Sequence, residues 1–134
     1  MRGVTQRIEG WPRGECARAS YATLFECPIE CIPRLDPEAA AQVGTTQDIL
    51  ERRWLASIGL DLVEYSVPPD KTIPQRVLDS MPQIPHLISG VSPRGFGHRC
   101  VGFGGRVIWD PHPSRAGLVT VYSVGLILPL VEQQ

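Results

Sequence analysis

The chain has 134 residues, 43% of them hydrophobic and 20% charged, enough apolar side chain for one packed core and too little charge for a disordered chain. Its 13 basic and 14 acidic residues give a formal net charge of -1 and form no basic stripe, so a nucleic-acid partner is not expected. No apolar run approaches the roughly 20 residues of a membrane span, and the N-terminal MRGVTQRIEGW has no apolar signal core. One cytoplasmic domain over residues 1–134 is the expectation.

The first predicted element is a helix over Glu15–Phe25, entered from a loop holding Gly10, Pro12 and Gly14, with Ala19 and Ala22 allowing close packing. Pro28 and Pro33 bracket a helical turn, IECI. Thr45 and Asp48 have the spacing of a capping box, with Asp in place of Glu or Gln, and open a helix with Ile49, Leu50, Trp54, Leu55 and Ile58 on one face. Gly59 stops it. Residues 60–67 alternate as a strand with the more apolar face on Val63, Tyr65 and Val67. A short helix over Pro74–Met81 follows, with Pro in the first turn. Strands are then expected over Pro85–Val91, His98–Phe103, Val107–Trp109 and Val119–Leu128, with a hairpin signal at Gly104-Gly105. Helices first and antiparallel strands afterwards is an α+β chain.

Cys16 falls at the start of the first helix. The partial positive charge there favours the nucleophilic thiolate, and free backbone N–H groups there can bind an oxyanion. Glu15 beside it works against the thiolate unless its carboxylate points outward. His98 opens a strand after the glycine-containing SPRGFG, and Asp110 ends the next strand. A three-residue loop Phe103-Gly104-Gly105 pairs Gly102 with Arg106 and sets His98 opposite Asp110, where a carboxylate can fix the imidazole tautomer. A two-residue Gly104-Gly105 turn sends the two side chains to opposite faces. A shared site therefore requires an odd loop or a bulge.

Other polar groups read as less involved. His112 in DPHPSR is a loop residue, with Ser114 and Arg115 as ties. Arg94 and Arg99 flank His98 and can meet an acidic substrate group, with a solvated role as the default. Cys100 reads as packing, Ser20 is mid-helix without a base, and Trp11, Trp54 and Trp109 read as core or cleft wall. The four cysteines are expected as free thiols, and Cys27 with Cys31 lacks two more ligands for a structural zinc, so no metal and no cofactor are expected.

The order Gln6, Cys16, His98, Asp110 resembles the papain-like cysteine peptidase superfamily. GECARASYATLF and GHRCVGFGGRVIWDPHPSRAGL are similar to small papain-like proteins of bacteriophages and prophages, with bacteriocin-processing peptidases a more distant likeness, over about residues 6–118. The resemblance implies a papain-like fold, the cysteine helix packed on a C-terminal sheet, and a cysteine hydrolase with Cys16 as nucleophile, His98 as base and Asp110 as its orienting group. It also implies an oxyanion hole from the Cys16 N–H and Gln6, and a peptide or protein substrate. The family's glutamine lies about six residues before the cysteine, the place of Gly10 here. Either IEGWPRG carries an insertion or the hole uses backbone N–H groups alone. A deamidase, transglutaminase or amidase on the same fold, and a non-catalytic binder of a host protein, are the alternatives.

Overall fold

A computed structural model describes residues 1–68 and 70–131. Three α-helices precede the first strand: α1 (Cys16–Leu24), α2 (Pro37–Gln42) and α3 (Gln47–Ser57), with a 3₁₀ turn at Ile29–Cys31. Then come β1 (Leu60–Ser66), the one-turn α4 (Gln75–Leu78), β2 (Pro85–Val91), β3 (Gly97–Phe103), β4 (Arg106–Trp109) and β5 (Thr120–Pro129). The strands form one antiparallel sheet in the order β1-β5-β2-β3-β4, so the chain is α+β. No helix among the described residues is long and apolar enough to cross a membrane.

Local chemistry sets the helix ends. Thr46 caps α3 by accepting the Ile49 N–H, and Gly59 ends it at φ +78°, a backbone that L side chains resist. Asp36 caps α2, a helix not expected from the sequence, by accepting the Ala39 N–H, and Pro37 fills its first position. The helix predicted over Pro74–Met81 shortens to Gln75–Leu78.

Two apolar layers cover the sheet. On one face Ala19, Tyr21 and Ala22 of α1 and Leu55 of α3 meet Leu62 and Leu87; on the other, Ile73 and Leu78 meet Ile88, Cys100 and Val124. Adjacent β2 residues Leu87 and Ile88 thus feed opposite cores, as a strand covered on both faces requires. Two predicted faces are corrected. On β1, Leu62 is buried while Val63 and Tyr65 are about half exposed, because this edge strand is covered only on the side where α3 packs. On α3, Ile49 and Ile58 are exposed and Glu51 is buried, because Glu51 finds a cationic partner on β3.

Candidate active site

The loop before α1 is tied down by the residue that precedes Cys16. Glu15 is buried, so its carboxylate does not escape the thiol by pointing outward. Its carboxylate accepts the backbone N–H groups of Arg7 (3.0 Å) and Ile8 (3.1 Å) and pairs with Arg7 (2.8 Å) and Arg18 (3.1 Å). Burial alone would push this carboxyl up; the Arg7 contacts outweigh it and hold the group below its ordinary range. Two cations thus offset the charge that would have opposed a thiolate next door. Gly14 donates to the Gly10 carbonyl at 2.6 Å, and a Cβ at Gly14 would stand 2.5 Å from that oxygen, so the loop closes only around glycine. α1 then lies against β3 with Cys16 as its first residue.

The β3–β4 hairpin resolves the question of parity. Phe103 pairs with Arg106 and Gly102 with Val107, so the turn is the two-residue Gly104-Gly105, both with positive φ. By itself that turn separates His98 from Asp110. One step on, however, Val101 pairs with Trp109, leaving Ile108 as an extra residue. This β-bulge flips the parity of everything beyond it. Continued by one residue, the register sets Asp110 across from Cys100 and one diagonal step from His98. The buried His98 Nε2 hydrogen-bonds Asp110 Oδ1 at 2.6 Å. Buried His86 anchors the turn, its Nε2 accepting the Gly105 N–H at 3.1 Å, and any Cβ at Gly102 would strike that ring at 2.5 Å.

The site polarises itself. Asp110 also accepts the backbone N–H groups of His112 (2.9 Å) and Gly117 (2.7 Å); burial opposes its charge, but His98 and these donors keep it below the usual carboxylate range. Burial disfavours an imidazolium at His98, yet hydrogen bonds and charge from Cys16 and Asp110 raise its pKa above the ordinary value. Burial likewise disfavours a thiolate at Cys16. The hydrogen bond and charge of His98, followed by the backbone N–H and charge of Arg99, lower the thiol below its ordinary value. With Nε2 committed to Asp110, the other ring nitrogen of His98 is the one left for a partner in the cleft that Cys16 also lines.

Two neighbours read from the sequence as packing or surface are part of this environment. Cys100 is fully buried, and burial together with Asp110 pushes its thiol well up, so it stays S–H. Its sulfur, His98 and Asp110 bring their donor atoms within 4.8 Å of one another. A zinc-like cation could use that set only by displacing the His98–Asp110 hydrogen bond. Arg99 is partly buried and paired rather than freely solvated: its Nη1 is ion-paired with buried Glu51, which also accepts the Tyr21 hydroxyl, and its Nε donates to Ser89 Oγ at 3.3 Å. No local sequence signal marks Glu51 or Arg99; Arg94, by contrast, is exposed as expected.

A cleft of about 660 Å³ runs past Cys16 and His98. Gln6 lines it and is buried; its Nε2 donates to the Ile8 carbonyl at 2.9 Å, which fixes the amide orientation and leaves one N–H uncommitted. Among the described residues, Gln6 Oε1 and Ser92 Oγ are the buried side-chain polar atoms without a partner, and both residues line this cleft. Such orphans call for a ligand or water. Trp11 and Phe96 stand at its walls, 83% and 70% exposed, whereas Trp54 packs on Tyr21 and Phe25, and Trp109 donates to the Val4 carbonyl beneath Arg115. His112 is held in its loop: Nδ1 accepts the Ser114 N–H and Nε2 meets Glu9 at 2.9 Å, with its ring edge-on to His98.

Comparison with protein-family models, curated proteins and solved structures returns no match.

Proposed function

We propose that this chain is a papain-like cysteine hydrolase that cleaves an amide or isopeptide bond of a peptide or protein through a thioester. The observation that carries the reading is a buried imidazole bonded to a carboxylate at 2.6 Å in the same cleft as Cys16, whose thiol that imidazole helps to hold below its ordinary pKa. That arrangement favours a thiolate–imidazolium pair, and Asp110 fixes the ring so that the proton faces the sulfur.

In the first half-reaction Cys16 Sγ attacks the carbonyl carbon and the C–O π electrons move to oxygen. The N–H of Cys16, which a helix N-terminus leaves without an intrahelical acceptor, and the uncommitted N–H of Gln6 stabilise that oxyanion. The C–N bond then breaks as His98 gives its proton to the leaving nitrogen. In the second, His98 takes a proton from water, the hydroxide attacks the thioester, and the thiolate leaves. The exposed aromatic walls and short loops suit a flexible segment of peptide rather than a folded surface.

The test is a fluorogenic peptide panel with mass-spectrometric capture of the acyl-enzyme. The expected result is turnover by the native chain, an adduct at Cys16, and loss of at least about 10³-fold in kcat/KM with Cys16→Ala. Unchanged turnover in that variant, or alkylation of Cys16 by iodoacetamide no faster than of Cys27 and Cys31, overturns the reading. Including glutamine carboxamides and cell-wall fragments separates peptidase from deamidase and amidase chemistry.

A further inference from the structure

One corner of the cleft is lined by Arg99, Tyr122 and Ser89. Arg99 has five N–H donors, of which Nε serves Ser89 and one on Nη1 serves Glu51; no other protein partner is present for the rest among the described residues. The side chain is 20% exposed, and it is the cleft that it lines, whereas its counter-ion Glu51 is 2% exposed and does not reach the cleft wall. The guanidinium therefore meets its own anion behind it and turns spare donors to the cleft beside Cys16.

A second donor is aimed there by a defect in the sheet. Ser89 pairs with Ser123 but Gly90 pairs with Val121, leaving Tyr122 as the extra residue of a β-bulge. Bulges re-aim a side chain, and here the Tyr122 hydroxyl comes to the cleft beside Gly97, where an added Cβ would lie 3.1 Å away. That hydroxyl has no protein hydrogen-bond partner among the described residues, and Ser89 Oγ lies at the same corner. Arg94 is a second cation of the lining; the lone carboxylate there, Glu9, is taken by His112. The thiolate–imidazolium pair adds no net charge to repel an incoming anion.

We propose that Arg99, Tyr122 and Ser89 form a carboxylate subsite, so that the preferred substrate carries an anionic group near the scissile amide. This rests on the hydrolase reading of the same cleft. Arg99 gives charge and two-pronged geometry, Tyr122 a third donor, and the group recognised is either an acidic side chain or a free C-terminus.

Matched peptides decide it: Glu against Gln at each of the three positions on either side of the scissile bond, and free-acid against amide termini. Turnover is read with the native chain and binding by calorimetry with Cys16→Ala. The expected result is about tenfold or greater preference for the carboxylate form in one arm, which names its source. The preference ratio should fall to about threefold or less in Tyr122→Phe and in Arg99→Lys, and weaken with added salt. Equal binding and equal turnover of acid and neutral forms in every arm, or a preference that both variants leave intact, overturns the subsite. Selective binding without turnover leaves the subsite standing and removes the hydrolase; turnover without selectivity does the reverse.

Discussion

Cys16 sits between two buried polar clusters that differ in what they let a proton do. On one side His98 and Asp110 form a hydrogen-bonded pair in which the imidazole is raised above its ordinary pKa, backed by a Cys100 thiol that stays protonated. On the other, Tyr21, Glu51 and Arg99 form a network of fixed charge: burial and Glu51 push the Tyr21 hydroxyl far up, and the Arg99 guanidinium is raised despite its burial. The first cluster can accept and return a proton; the second sets the potential the sulfur feels. The proposed nucleophile would draw on both, since α1 packs against the strand that carries both His98 and Arg99.

Breaking the mobile cluster should have the largest effect. Asp110→Ala is expected to lower kcat by about 10²–10⁴-fold, the range for a misoriented general base, and to bring the alkaline limb of the pH–rate profile down as His98 loses its carboxylate. Breaking the fixed cluster should act first on stability. Glu51→Gln leaves a partly buried cation without its counter-ion, a loss of roughly 1–3 kcal/mol in denaturant unfolding, while the uncompensated Arg99 moves the acid limb of Cys16 alkylation to lower pH. An unshifted acid limb would show that Arg99 does not bear on the sulfur.

The pH profile of the native chain sharpens the comparison without any mutation. The thiol is depressed, so its thiolate persists below the ordinary pKa of about 8.5; the imidazole is raised, so its proton persists above about 6.5. Activity should rise as the depressed Cys16 thiol ionises, from below about pH 8.5, and fall as the raised His98 imidazolium loses its proton, above about pH 6.5. A maximum only above pH 8.5 would mean that Cys16 is an ordinary thiol.

Smaller effects should follow at the edges of both clusters. Cys100→Ala removes a buried sulfur and a donor beside Asp110, with an expected loss of about 1 kcal/mol and a several-fold lower rate. Cys100→Ser, which restores a donor, should recover rate more than stability. Far from both clusters, Tyr65→Thr on the bare face of β1 should change stability by less than about 0.5 kcal/mol and leave kinetics alone. A larger change would mean that the exposed face is covered in solution.

Much of the element order was legible because its signals are local. Gly59 ends a helix and Gly104-Gly105 makes a turn through backbone preference that needs no distant partner, and Cys16, His98 and Asp110 could be nominated from helix-start and strand-end positions. What a pattern in one strand cannot carry is the count of residues in its neighbour. The extra residue at Ile108 rather than an odd loop brings Asp110 to His98, and it brings Cys100 as well. Glu51 carries no local signal and Arg99 reads by default as a solvated residue, because each is costly to bury alone and only the pairing across 48 positions removes that cost. The sequence alone determined which side chains can do chemistry, since residue type and local backbone state are written in it. Tertiary structure decided which of them share a wall, because register, burial and charge pairing belong to contacts between distant segments.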